Sequence, residues 1–483
     1  MGRLANQTIA SVRWSVLSQV VRLFTRTGTM IVLTRLIAPR EFGLMSMAAV
    51  FTGFLDLFTE LGTTSALIQK DTLTPRLLST TFWANIAFGF LAGGATFATA
   101  PLVAAFYGQP RLVPVLELLS VGFAITSLSL VQRALLSREL AFRNISIAEA
   151  VAAIAGSAAA IALAAAGYGV YSLVGLVIVM SAVTTLLLWL MSDWRPTAEF
   201  ALGDLRSISG FSANLMAYNI VNYLGRNVDY LLIGRFLGAQ QLGYYTLAYN
   251  LLLFPVQYVT LTVGRVTFPV YASIQDDNRR LANAYLRVAG TLAALSFPLM
   301  LGLLAVCDVF VRTVYGARWA PAIPVVAILA PVGLIQSISA MNGSVYKAKG
   351  RADLMLRVGG GFSAVAVASF FLGLRFGMVG VAAAYAVTAI VLFGYPLFSI
   401  PLRLIGLRFA DLLRAIRYPL AASVTMIAGL GLLRLAVPQL ASAGAAGLLV
   451  LVAAGSALYF GAIVVLNRSQ LREMWLLIRP AAT

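Results

Sequence analysis

The sequence predicts an all-α polytopic membrane protein of about fourteen transmembrane helices. Two parallel six-helix repeats are expected to form N and C lobes around a central cavity, with two extra helices at the C-terminal end. Three observations predict this. First, 60% of the 483 residues are hydrophobic and 11% are charged, with a mean hydropathy of +0.90, whereas a soluble domain carries about 25% charged residues. Second, apolar runs of bilayer-spanning length recur along the whole chain. Third, the stretch QVVRLFTRTGTMIVLTRLIAPREFG (Gln19 to Gly43) has a partner two hundred positions later, NIVNYLGRNVDYLLIGRFLGAQQLG (Asn219 to Gly243). Without a gap, Arg26 aligns with Arg226, Arg35 with Arg235 and Gly43 with Gly243. Repeats of this kind place a transporter's substrate site at their interface.

The predicted spans lie near 11–37, 43–67, 78–106, 113–133, 147–166, 169–191, 208–236, 243–272, 284–310, 322–345, 356–374, 378–400, 412–436 and 444–466. The first apolar segment is long and interrupted by arginine, so it reads as a span and not as a cleavable leader. Short Gly and Pro connections such as Ala38-Pro39 separate the runs. The longest polar linker, about Ser192 to Arg206, falls between spans six and seven. It sets the expected divisions: 1–200 for the N-lobe, 201–402 for the C-lobe, and 403–483 for spans thirteen and fourteen with a tail. Each repeat holds an even number of spans, so both enter the membrane the same way. Phe142-Arg143 with Tyr168-Gly169, against Gly350-Arg351 with Phe376-Gly377, extends the repeat at a spacing of about 208.

Charge sets the topology. Of the 35 Lys and Arg, 22 fall at the N-terminus and in loops after even-numbered spans, six on the other side and seven within spans. By the positive-inside rule both termini are cytoplasmic. The net charge of +18 is therefore a topological signal and not a nucleic-acid footprint. There is no histidine, which excludes imidazole metal sites and proton relays through imidazole. The single cysteine, Cys307, excludes an intrachain disulfide and reads as a small apolar residue. The chain has no Walker A loop, HExxH, CxxC or GxSxG. No enzyme activity and no cofactor are predicted, and the energy must come from an ion gradient, the membrane potential or the substrate gradient.

The chemistry concentrates in spans one, two, seven and eight. Gln19, Arg22, Arg26 and Thr29 share one helical face, as do Asn219, Asn222, Arg226 and Asp229. An arginine inside a span costs several kcal/mol unless it faces a polar cavity or a partner. Arg22, Arg26 and Arg226 are read as cavity residues or as structural pairs with acids, and Arg265 beside Pro269 is similar. Arg35 and Arg235 sit near the far helix ends and read as interfacial anchors or interhelical salt bridges. Guanidinium is well suited to phosphate, so the substrate class inferred is one bearing pyrophosphate. Asn219, Asn222 and Asn250 could bind hydroxyls or hold helices together. Asp56, Glu60 and Asp229 either neutralise these arginines or exchange H+ or Na+ during transport. Few other acids are expected at depth; Asp308 and Glu117 are placed near span ends.

The opening WSVLSQVVRLFTRTGTMIVLTRLIAPREFGLMSMAAVF resembles the Wzx-type polysaccharide transporters of the multidrug/oligosaccharidyl-lipid/polysaccharide (MOP) flippase superfamily, in the colanic-acid-exporter-like branch. So do ELGTTSALIQK, STTFWANIAFG, RALLSRELAFRNISIAE, NYLGRNVDYLLIGRFLGAQQLGYYTLAYNLLLFPV and RVTFPVYASIQDDNRRL. The resemblance implies a V-shaped cavity lined by spans one, two, seven and eight. It implies that an undecaprenyl-pyrophosphate-linked oligosaccharide crosses the bacterial inner membrane by alternating access, for exopolysaccharide, capsule or lipopolysaccharide assembly. It also implies a Wzy-like polymerase and a chain-length regulator as partners, and a lipid-tail groove at spans thirteen and fourteen. One cavity per chain makes a monomer sufficient. The rival readings are an ion-coupled drug or organic-cation antiporter of the same superfamily, a membrane polymerase or ligase, and a non-transporting scaffold. The antiporter would want acids where this chain has arginines, and the enzyme would want a large extramembrane loop.

Overall fold

The computed structural model describes residues 19, 21–59, 67, 70, 72–203 and 213–466, with the side chains at 59, 213–219, 221–222, 254–270 and 352 outside that description. Among the described residues every regular element is helical. In chain order these are α1 (21–36), α2 (Pro39–Thr59), α3 (Pro75–Tyr107), α4 (Leu112–Ser127), α5 (Leu130–Arg138), α6 (Phe142–Ala165), α7 (Val170–Met191) and α8 (Ala213–Ser273). There follow α9 (Asn278–Val314), α10 (Ile323–Ser339), α11 (Asn342–Ala348), α12 (Ala352–Gly373), α13 (Gly377–Val387), α14 (Gly394–Leu404), α15 (Phe409–Ala436) and α16 (Gly444–Leu466). Among the described residues nine helical stretches are long and apolar enough to cross a membrane, and ten if the bent pair α4–α5 counts as one span.

The element ends follow local chemistry. The Thr74 hydroxyl accepts from the Leu77 N–H at 3.2 Å, Pro75 opens α3, and Gly108 closes it at φ 62. Asp277 caps α9 by accepting from the Arg280 N–H at 3.0 Å. The predicted gap between spans seven and eight appears as a break inside α8 at Gly238, whose φ of 83 and ψ of 174 are open to glycine alone. The predicted fourth span, 113–133, is bent by 41° between α4 and α5. The Ser127 and Ser129 hydroxyls bond back to carbonyls one turn earlier at this bend. Two donors on α7 serve carbonyls beside it: Thr185 to Ile125 O at 3.0 Å and Trp189 Nε1 to Leu128 O at 2.8 Å.

Packing divides the chain into two compact units, Met1–Gly243 and Tyr244–Thr483. This division follows contacts, whereas the boundary expected near residue 200 follows sequence equivalence. In the first unit α3 lies along α4, α6 along α7, and α2 and α4 on α7. Small residues allow the close approach, as is usual between helices in lipid. A Cβ at Gly93 would come within 2.8 Å of Ser120 O, and one at Gly156 within 2.9 Å of Leu176 O. In the second unit α9 is the central helix, packed by α10, α15 and α16. Met426, Leu430, Leu451 and Tyr459 bury against Leu301 and Val309 of α9. The Tyr459 hydroxyl donates to Ala294 O at 2.7 Å. Asp308, placed near a span end by the sequence, accepts from Arg434 at 2.5 Å, and Arg434 also donates to Ala305 O at 2.7 Å. The predicted thirteenth span, α15, is thus fastened to α9 by apolar burial and by one ion pair.

Candidate functional site

Arg22, Arg26 and Thr29 of the predicted stripe all lie on the continuous helix α1. Arg22 is half-buried and pairs with Glu149 of α6, and Arg133 of α5 holds the other oxygen of the same carboxylate at 2.9 Å. Two guanidinium groups around one carboxylate leave a net positive charge there. Arg22 is therefore in the paired arrangement, with an acid that the sequence reading did not single out. Glu149 stands two turns into α6, beside the buried Ile145, Ala148 and Ala152. Its place next to a packed face, in RELAFRNISIAE, was the signal available.

The repeat is reproduced in the burial pattern. Arg26 and Arg226 are both exposed, and among the described residues neither forms an ion pair. Three residues on, Thr29 and Asp229 are each 5% exposed. Each helix thus turns a guanidinium outward one turn from a buried polar residue. Asp56 is exposed on α2 and Asn250 is exposed on α8. Glu60, and the side chains of Asn219, Asn222 and Arg265, lie outside the described residues. Arg35 is exposed near the end of α1. Arg235 is exposed too, with its guanidinium 5.5 Å from the Phe106 ring centroid.

The far ends of these helices are locked together by residues to which the sequence reading gave no role. The buried Glu41 carboxylate accepts from Arg111 at 2.8 and 3.3 Å and from the Val170 N–H at 3.0 Å. One side chain so ties the start of α2 to the turn before α4 and to the N-terminus of α7, which favours an anion. Arg40 is peripheral, donating to Gln109 at 3.2 Å. The repeat-equivalent Gly43 and Gly243 meet. A Cβ on Gly43 would lie 1.7 Å from Ala239 O, and one on Gly243 would lie 1.9 Å from Pro39 O and 3.3 Å from Gly43 N.

The exposed arginines of α1 and of the first arm of α8 can hold an anionic headgroup. The family model described as "Polysaccharide biosynthesis protein" matches residues 32–324. The chain is 31% identical over 406 residues to the teichuronic acid biosynthesis protein TuaB of Bacillus subtilis, covering 81% of this chain and 82% of that one. It is 31% identical over 358 residues to the lipopolysaccharide biosynthesis protein WzxC of Escherichia coli, covering 73% and 72%. Its fold is similar to the lipid II flippase MurJ in an inward closed conformation (TM-score 0.74, 15% identity, 98% of this chain and 100% of that one). It is also similar to an inward-facing multidrug resistance MATE transporter of the MOP superfamily (TM-score 0.60, 13% identity, 86% and 99%). With these matches along most of its length, the chain belongs to the polysaccharide biosynthesis protein family and is a multi-pass membrane transporter, not an enzyme.

Proposed function

We propose that this transporter is a flippase that moves an undecaprenyl-pyrophosphate-linked oligosaccharide from the cytoplasmic to the periplasmic leaflet of the inner membrane. The observation that carries the reading is the set of arginines on repeat-equivalent membrane helices, with Arg26 and Arg226 both exposed and without acidic partners among the described residues. Such cations suit a pyrophosphate, with bidentate donors for its oxygens. The printed names of the relatives supply the class of product, a cell-surface polysaccharide. Arg22 joins them through its network with Glu149 and Arg133. Alternating access moves the headgroup, while Asp56, Glu60 and Asp229 are the groups on which coupling to H+ or Na+ would act. Both termini are cytoplasmic, a single chain suffices, and a Wzy-like polymerase and chain-length regulator use the product.

Deleting the gene tests this. Loss of surface polysaccharide together with accumulation of lipid-linked repeat units in the inner leaflet is the expected result. Mass spectrometry of that lipid then names the glycan. Unchanged polymer and lipid, with altered sensitivity to cationic drugs, contradicts the proposal and favours the antiporter.

A further inference from the structure

A crevice of about 410 Å³ runs between α2, α3 and the first arm of α8, with Val50, Phe54, Leu102, Phe106, Tyr223 and Leu231 among its walls. Glycines set how closely its walls approach. Gly53 lets the Tyr223 ring approach, since a Cβ there would lie 2.4 Å from the Tyr223 hydroxyl. Gly234 does the same for Tyr107, at 2.8 Å from a ring carbon. The crevice offers water very little. The Tyr223 hydroxyl is engaged by Val50 O at 2.9 Å and the Thr99 hydroxyl by Ala95 O at 2.5 Å. An apolar space of this kind does not hold ordered water, which needs several polar partners.

The crevice opens on the apolar outer face of α3. Phe90, Phe97, Leu102 and Phe106 are all exposed along this helix, and exposed large apolar side chains on a membrane-crossing helix mark a surface made for hydrocarbon. One end of the crevice has the opposite character. Phe106 lies in the last turn of α3, and Arg235 lies just before the break at Gly238. The Arg235 guanidinium rests over the Phe106 ring, exposed and with no ion pair among the described residues. A cation at helix-end level sits where lipid headgroups lie. Apolar walls ending in an unpaired cation match a chain of hydrocarbon that ends in an anion.

We propose that this crevice is a binding site for an anionic phospholipid, with one acyl chain between α2, α3 and α8 and its phosphate on Arg235. The assignment does not depend on the identity of the transported glycan. Native mass spectrometry of the full chain in detergent tests it. The probes are phosphatidylglycerol and phosphatidylcholine with identical chains. Wild-type protein should retain phosphatidylglycerol severalfold better than phosphatidylcholine. Arg235→Gln should bring the two lipids close to parity. Leu102→Trp, at a position 69% exposed on the crevice rim, should fill the space and lower binding of both severalfold. Leu91→Trp, on the same helix, 67% exposed and away from the crevice, should leave binding unchanged. Equal retention of phosphatidylglycerol by wild type, Arg235→Gln and Leu102→Trp would overturn the assignment, as would equal losses in Leu91→Trp and Leu102→Trp. Displacement of phosphatidylglycerol by undecaprenyl phosphate at equal concentration would also overturn it, and would give the crevice to an isoprenoid tail.

Discussion

Gly43→Ala and Gly243→Ala are each expected to lower the thermal midpoint of the purified protein sharply. In both, the new methyl group would meet a backbone carbonyl, at 1.7 Å from Ala239 O and at 1.9 Å from Pro39 O. A flexible side chain could swing away from such an intrusion, but a carbonyl cannot move without its helix. Overpacking typically costs ~1–3 kcal/mol, occasionally more. A backbone clash belongs at the upper end of that range or beyond it, enough to matter against the marginal stability of folded chains. Gly94→Ala is the matched control, because a Cβ there meets nothing within 4 Å and alanine is the better helix former by about 1 kcal/mol. Midpoints read by fluorescence-detected size exclusion should fall for both clash variants and hold or rise for the control. Unchanged midpoints at Gly43 and Gly243 would mean that this helix crossing is looser than described.

Arg26→Ala and Arg226→Ala should each nearly abolish export while leaving the protein in the membrane at normal levels. Both side chains are exposed and make no ion pair among the described residues, so removing them strands no buried acid and opens no cavity. The loss falls on the substrate. A charge-assisted hydrogen bond contributes about 1.5–3 kcal/mol, and each 1.4 kcal/mol is about tenfold. One missing contact to a pyrophosphate therefore predicts a drop of roughly ten- to a hundredfold in flux. Arg40→Ala should do little, because Arg40 contributes a single exposed bond to Gln109. Surface polymer and immunoblots of membrane fractions measure both quantities. Normal polymer output from both variants would remove the pyrophosphate reading.

The helices were legible in the sequence because a span in lipid must be long, apolar and internally hydrogen-bonded. That constraint leaves its mark residue by residue, and the gap expected between spans seven and eight falls at the Gly238 break. The bend between α4 and α5 was less legible. It depends on Thr185 and Trp189 reaching across from α7, and nothing local reports a donor sixty positions away. The repeat gave Gly43 and Gly243 as equivalent positions, but equivalence is not contact, and their meeting is a tertiary fact. Glu149 escaped notice because an acid near a span end is ordinarily solvated, and only packing shows that it joins Arg22 to Arg133. Glu41 escaped for the same reason, since its partners Arg111 and Val170 lie 70 and 129 positions away. In each case the residue type was visible and the partner was not.

The central claim is that this protein carries a lipid-linked oligosaccharide across a bilayer, and transport by the purified chain tests it most directly. The full-length protein would be reconstituted into vesicles containing fluorescently labelled undecaprenyl-pyrophosphate-linked oligosaccharide taken from the same cells. A membrane-impermeant reagent would then report how much label remains protected in the inner leaflet. The account predicts that protein-containing vesicles lose this protection within the assay, and that Arg26→Ala vesicles keep it. Protection that persists equally in vesicles with and without the protein, with and without H+ or Na+ gradients, would contradict it.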